Sequence, residues 1–276
     1  MIDNTDQAEQ ELSPKIFLRY CDLIYDVAGI KLGAQKESLL KARVSKRMRT
    51  LGMNCFEEYL SHIENDTSGT EIVELLNAIS TNVTYFFRER AHFDVLGETL
   101  TKLYNAGQTS IRIWSAACSS GEEPYTMAIM VRESLPESAD VKILATDIST
   151  KVLQRAKSGI FDYKSMEKMP DKYMSKYFTR ITEADAVKYQ ASDSLRKLIT
   201  FSRINLAKPP FAMRGPFDVV FCRNVMIYFD NEVRRGLLSE IERLLNPKGL
   251  LMVGHAESLS GMLSNMKSIR PSIYVK

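Results

Sequence analysis

Residues that build metal centres and disulfide frameworks are scarce in this chain. Its 276 residues include four cysteines and three histidines. Cys21, Cys55, Cys118 and Cys222 stand far apart with no metal-type spacing, which excludes a cysteine zinc site and a secreted disulfide scaffold. Cys118 and Cys222 read as small apolar fillers in or beside strands. His62, His92 and His255 are scattered too, so no histidine-built metal centre is expected. There is no signal peptide and no apolar run of membrane length, which predicts a soluble cytoplasmic chain with no membrane insertion. Charge of one sign is also lacking: 37 cations face 34 acids, and the net charge of +3 implies no general nucleic-acid affinity.

What is present falls into two parts. Before Ser80 the pattern is short amphipathic helices. Ser13-Pro14 supplies a cap and a first-turn proline. Phe17, Tyr20, Leu23, Ile24 and Val27 recur at helical spacing up to Gly29, after a polar, frayed start over residues 1–12. Further helices are predicted over 34–50, 55–63 and 70–79, giving a small all-α domain over residues 1–80. Residues 81–108 form a linker and connecting helix. From 109 to 276 strands and helices alternate: strand 111–116, helix 124–134, strand 141–146, helix 149–157, strand 217–222, helix 231–245 and strand 249–254. That rhythm predicts α/β architecture, a mostly parallel sheet covered on both faces. Residues 160–201 break it, with a helix over 170–177 and short strands over 178–181 and 198–201, and are read as an inserted β-subdomain.

The densest signal is Ile111–Asp147. An apolar strand runs into Ser115-Ala116-Ala117-Cys118-Ser119-Ser120-Gly121, a helix opens at Glu122-Glu123-Pro124, and a second strand ends in Asp147. Small side chains let backbone amides approach a ligand, and an acid at the second strand tip suits ribose hydroxyls. The glycine spacing does not match G-x-G-x-x-G, so a cofactor without a pyrophosphate, such as S-adenosylmethionine, fits better. Glu122 and Glu123 either cap the helix or offer a carboxylate to an ammonium group; Asp147 has the competing role of capping the helix after Ser149. A second run, Phe217–Asp230, ends an apolar strand in Arg223-Asn224, with Tyr228 one turn on. Polar groups at this tip align with the other two, where open sheets bind ligands.

In these runs the sequence resembles the bacterial chemotaxis protein-glutamate methyltransferases, the CheR family. The resemblance rests on Gly121-Glu122-Glu123-Pro124-Tyr125, on Cys222 to Phe229 and on Thr81 to Glu89, and it spans nearly the whole chain in the same order. It implies a class I S-adenosylmethionine-dependent methyltransferase fold (Rossmann-like), with a small inserted β-subdomain and a preceding small all-α domain. The implied reaction moves a methyl group from S-adenosylmethionine to glutamate side chains of methyl-accepting chemotaxis receptors, leaving S-adenosylhomocysteine and needing no metal. By matching positions it implies cofactor contacts from Asn82, Thr84, Arg88, Glu123, Asp147, Asn205, Leu206, Asn224 and Val225, and it associates Arg88 and Tyr228 with the reaction centre. Some relatives grip a tethering peptide with a glycine-rich loop in the β-subdomain. Residues 181–198 contain no glycine, which points to direct recognition of the receptor helix.

Residues 36–49 carry six cations against one acid. Lys41, Arg43, Lys46, Arg47 and Arg49 are therefore candidates for meeting the acidic cytoplasmic helices of receptors, with an ordinary solvated face as the alternative. No nucleic-acid motif accompanies them. The chain is expected to be a monomer recruited to receptor arrays. Two rival readings are a methyltransferase of a small molecule or nucleic acid, and a non-catalytic cofactor-sensing scaffold.

Overall fold

The computed structural model describes residues 11–80, 82–183, 186–259, 261–262 and 265–276. Most of the polar start expected over 1–12, and Thr81 of the linker run, lie outside the described residues. The chain divides into two compact units, Met1–Thr81 and Asn82–Lys276.

The first unit is helical. Helix α1 (Pro14–Ala28) starts where expected, with Ser13 Oγ accepting from the Ile16 amide, and stops at Gly29 in the left-handed region. A 3₁₀ turn over Ala34–Lys36 precedes α2 (Glu37–Leu51), so the second helix begins as a tighter turn than its periodicity implies. Helices α3 (Phe56–Asn65) and α4 (Thr70–Ile79) complete the unit. Of the expected apolar stripe of the basic helix, Leu40, Val44 and Met48 are fully buried with Tyr20, Ile24, Tyr59, Leu60 and Leu75, and Leu39 is half-buried.

In the second unit α5 (Ala91–Asn105) leads to β1 (Ser110–Ala116), α6 (Glu122–Ser134), β2 (Asp140–Asp147) and α7 (Thr150–Ser158). The insertion follows: β3 (Ile160–Asp162), α8 (Tyr163–Met166), α9 (Asp171–Tyr177), β4 (Phe178–Glu183) and β5 (Ala186–Ala191). Then come α10 (Asp193–Arg196), β6 (Ile199–Arg203), β7 (Phe217–Cys222), α11 (Asn231–Leu244), β8 (Leu245–Val253), β9 (Lys267–Arg270) and β10 (Ile273–Val275). The main sheet has the order β6-β2-β1-β7-β8-β10-β9, parallel from β6 to β8 and antiparallel at β10 and β9. Strand order reverses between β1 and β7, and such a switch point opens a crevice at the carboxyl ends of the strands. The α/β expectation holds, and the antiparallel β9–β10 edge is an addition to it.

One strand assignment changes. Residues 199–203 do not belong to the insertion; they form β6, which pairs in parallel with β2 from Ile143↔Ile199 to Asp147↔Arg203. The insertion's own sheet is β3-β5-β4, fully antiparallel. An edge strand that alternates half-exposed residues looks the same in sequence whichever sheet it joins.

The aromatics of the 82–89 run anchor it. Phe86 packs edge-on against Phe161 and Phe178, and Phe87 stacks on Tyr173 at 5.3 Å. Tyr85 is half-buried, with Lys168 Nζ 3.8 Å above its ring.

Candidate active site

The site is assembled from the carboxyl ends of four strands and the run that precedes α5. After β1 the chain turns sharply: Ala117 and Ser119 have φ of 64° and 49°, and Gly121 has φ of 104°. A Cβ on Gly121 would also sit 2.9 Å from that of Ala156, so glycine is required both by conformation and by space. Asp147 at the end of β2 is buried and holds this turn. Its Oδ2 accepts from the Ser119 amide at 2.9 Å and its Oδ1 from the Ser149 amide at 3.0 Å. Burial nevertheless pushes its carboxyl above the ordinary range, so the ionised form would gain from further hydroxyl donors. Asp147 thus does contribute to the start of α7, as a carboxylate bridging two strand-end loops. Cys118 and Cys222 are buried, with thiols pushed well up by desolvation, as fillers should be.

At the end of β7, Arg223 is the hub. Its side chain is 1% exposed, donates to Glu123 Oε2 at 2.9 Å and Glu89 Oε2 at 3.0 Å, and also donates to the Arg88 carbonyl. Phe93 and Phe221 flank the guanidinium at 5.5 and 5.8 Å. Ser115 Oγ donates to the other oxygen of Glu123 at 2.7 Å, so this carboxylate joins the ends of β1 and β7 to the start of α6. Burial raises the Glu123 carboxyl and Arg223 pulls it back. For Glu89 burial also raises the carboxyl, but Arg223 prevails and holds it below its usual value.

Asn224 adopts φ 58°, a left-handed position that asparagine tolerates better than most residues. It is kept there by Glu257, a buried carboxylate beyond β8. Glu257 Oε2 accepts from the amides of Asn224 and Gly254 at 2.7 Å each, and Oε1 accepts from those of Val225 and Met226 at 2.9 and 2.8 Å. A Cβ on Gly254 would fall 2.5 Å from Asn224 Nδ2. Asn224 Nδ2 itself lies 3.4 Å from Glu89 Oε1.

The 82–89 run reaches the same place. Ser119 Oγ donates to the Asn82 carbonyl at 3.2 Å, and Arg88 Nη1 donates to the Val83 carbonyl at 2.8 Å. Asn82, Thr84, Arg88, Val225 and Tyr228 are half-buried; Tyr228 lies in a 3₁₀ turn over Met226–Tyr228. Beyond β6, the Ile204 amide donates to the Asp147 carbonyl, Asn205 Oδ1 accepts from the Ala207 amide, and Leu206 is buried. Hydrogen bonds thus join Asn82, Arg88, Glu123, Asp147 and Asn224 to one another's loops. The residues present fit a nucleoside-bearing cation: a dry acid at the β2 tip, a turn of small residues at β1 and acids in excess of Arg223.

Sequence reasoning missed Glu257, Glu89 and Gly254. The rule that singled out Asp147, a polar residue just after an apolar strand, applies equally to His255-Ala256-Glu257.

The basic residues lie in the other unit. Arg43 Nη1 donates to the Ala78 and Ser80 carbonyls, at the end of α4. Arg47 makes a bidentate pair with buried Glu71 at 2.8 and 2.6 Å, and Tyr59 adds a hydrogen bond to the same carboxylate at 2.6 Å. Lys41, Lys46 and Arg49 are exposed.

The strand order and polar tips define an open α/β sheet whose switch point offers a candidate site for a nucleoside-type ligand. Comparison gives the family. Residues 82–275 match the model for the CheR methyltransferase SAM binding domain and residues 15–80 that for the CheR methyltransferase all-alpha domain. The chain is 37% identical to a chemotaxis protein methyltransferase of Borreliella burgdorferi over 99% of both chains. It is also 37% identical to one of Salmonella typhimurium, over 95% of this chain and 90% of the other. The chain belongs to the CheR methyltransferase family of chemotaxis, S-adenosylmethionine-dependent enzymes.

Proposed function

We propose that this chain methylates glutamate side-chain carboxylates in the cytoplasmic helical region of methyl-accepting chemoreceptors, forming glutamate 5-O-methyl esters. When bound, S-adenosylmethionine would supply a methyl group activated by its sulfonium, with S-adenosylhomocysteine as the by-product. Asn82, Thr84, Arg88, Glu123, Asp147, Asn205, Leu206, Asn224 and Val225 are the residues assigned to hold it, with Asp147 receiving the ribose hydroxyls.

The nucleophile needs no general base, because a glutamate carboxylate is already ionised at neutral pH. His92, the buried imidazole near the site, suits no such role: desolvation, then Arg223, lower its pKa to about 4. What remains is orientation, which can contribute several kcal/mol. Arg88 is the group assigned to it, and its geometry is the observation that carries the reading. Its carbonyl is anchored by buried Arg223, while its half-exposed guanidinium donates only one of five N–H groups among the described residues. A planar fork held at its base can meet a carboxylate bidentately. Tyr228 shapes the path of the methyl group and donates near the reacting oxygen.

Receptor recognition is assigned to the exposed cations Lys41, Lys46 and Arg49 of α2, with Arg43 and Arg47 supporting the helix that carries them. The enzyme acts as a monomer, recruited to receptor arrays in the cytoplasm. The test is transfer of labelled methyl to membranes containing the organism's receptors. A base-labile protein ester mapped to receptor glutamates is expected. A base-stable product, or label in a small molecule or nucleic acid, would refute the assignment, and binding without any transfer would mark a scaffold.

A further inference from the structure

We propose that Glu89, His92 and His255 form an inhibitory site for a divalent transition-metal ion of the zinc class, distinct from anything the methyl transfer itself requires. Each offers one ligand atom, and the three atoms lie within 4.8 Å of one another. Glu89 Oε2 is 3.5 Å from His92 Nδ1 and 4.0 Å from His255 Nε2. Neighbouring ligands on tetrahedral zinc stand about 3.4 Å apart, given metal–ligand bonds of about 2.0–2.2 Å. The first distance already matches, and the second closes by a small turn of His255, which is 56% exposed at the side chain.

His92 is the independent observation. Its imidazole is 1% exposed, yet neither ring nitrogen has a hydrogen-bond partner. Buried polar atoms are ordinarily paired, and an orphaned one calls for an explanation. The ring stands nearly perpendicular to that of His255, 5.2 Å away, and a neutral imidazole beside a carboxylate is an ordinary zinc donor. Three protein donors would leave the fourth position of a tetrahedral ion to solvent.

Such an ion would compete for an oxygen already in use. Glu89 Oε2 accepts from Arg223 at 3.0 Å, and Oε1 lies 3.4 Å from Asn224 Nδ2. Turning the carboxylate towards a metal weakens both contacts and sets a second cation near the Arg223 guanidinium. The repulsion loosens the loop that carries Asn224, so occupancy reports as inhibition.

The experiment uses the untagged full-length chain, zinc(II) in competition with a chromophoric chelator, and cobalt(II) as a spectroscopic probe. One ion per chain, an intense tetrahedral-type cobalt spectrum, and inhibition of methyl transfer by the same zinc concentration are expected. His255→Ala should lose the spectrum, weaken binding by about tenfold or more and abolish zinc inhibition, with unchanged turnover in chelator. His62→Ala should retain all three. Absence of stoichiometric binding, or binding indifferent to His255→Ala, overturns the site; binding without inhibition overturns its regulatory role. Binding does not rest on the receptor-glutamate reading, so a failure of receptor methylation in chelator, with stoichiometric zinc binding intact, would count against that reading alone.

Discussion

Replacing Glu257 by glutamine should detach the loop that carries Asn224 while leaving the fold intact. Glu257 takes four backbone N–H groups, two on each oxygen, at 2.7–2.9 Å. A glutamine retains one acceptor oxygen, so two of those donors face an NH₂ group instead. Each buried donor left without an acceptor costs about 1–3 kcal/mol, and the bonds that survive lose their charge assistance. Asn224 and Val225 are half-buried, so water offsets part of this; a net of about 3 kcal/mol against the loop's present conformation is reasonable. If the cofactor binds only that conformation, affinity falls by up to about a hundredfold. The assay is equilibrium binding of S-adenosylhomocysteine by calorimetry, with thermal unfolding as a control. Glu257→Gln protein that unfolds near the wild-type temperature and binds the product within about threefold of wild type would refute the argument.

Gly254→Ala acts on the same contact from the other side, since its Cβ would sit 2.5 Å from Asn224 Nδ2 and 2.8 Å from Glu257 Oε2; cofactor affinity should fall about tenfold or more, less than additively with Glu257→Gln. Arg88→Ala should lower the rate of methyl transfer by about a hundredfold with a smaller change in cofactor affinity, measured by single-turnover kinetics; unchanged kinetics would remove Arg88 from its role. Glu71→Ala leaves Arg47 and the buried Tyr59 hydroxyl without their acceptor and should cost about 2–4 kcal/mol, read as thermal stability. The pH dependence of the helical unit follows from the same region. The Glu71 amide holds the Asp66 carboxyl at about 2, and at Glu71 burial raises the carboxyl but the bonds from Arg47 and Tyr59 prevail and lower it. A depressed carboxyl contributes stability above its unfolded pKa and loses it as pH falls through the folded one. Amide exchange over residues 56–79 should therefore accelerate, beyond its intrinsic pH dependence, below about pH 4.5. Lys41→Glu with Lys46→Glu should reduce receptor methylation with cofactor binding intact; equal methylation would count against the recognition surface.

The sheet was legible because apolar runs with polar tips recur at β1, β2 and β7, and a parallel sheet demands that pattern. Asp147 and Asn224 stood out for the same reason. Glu257 also follows an apolar strand, but its role was not legible, because its work is done largely on amides about 30 residues earlier in the chain. Strand β6 was misassigned because Ile199–Arg203 is short and partly exposed like β5 of the insertion, and only pairing with β2 distinguishes them. The basic helix carries a similar ambiguity. Arg47 reads as a solvated cation until α4 brings Glu71 to it, whereas Lys41 and Lys46 look the same in sequence and are exposed.

One physical arrangement connects the acids of the site. Among the described residues, seven non-glycine positions have positive φ, and five of them are Phe87, Glu89, Ala117, Ser119 and Asn224. Each such position costs about 1–2 kcal/mol, so something must hold it. The Ser119 amide is held by Asp147, that of Asn224 by Glu257, and that of Phe87 by Thr126 Oγ1. Glu89 is held through its side chain by Arg223, which also secures the carbonyl before it. Acids at the strand ends therefore fix strained turns before any ligand arrives. These five positions lie outside the strands, while β1 beneath them is largely buried and keeps unbroken register with β2 and β7. Removing one holder should release its turn without unfolding the sheet, so the loss should appear in ligand binding before it appears in stability.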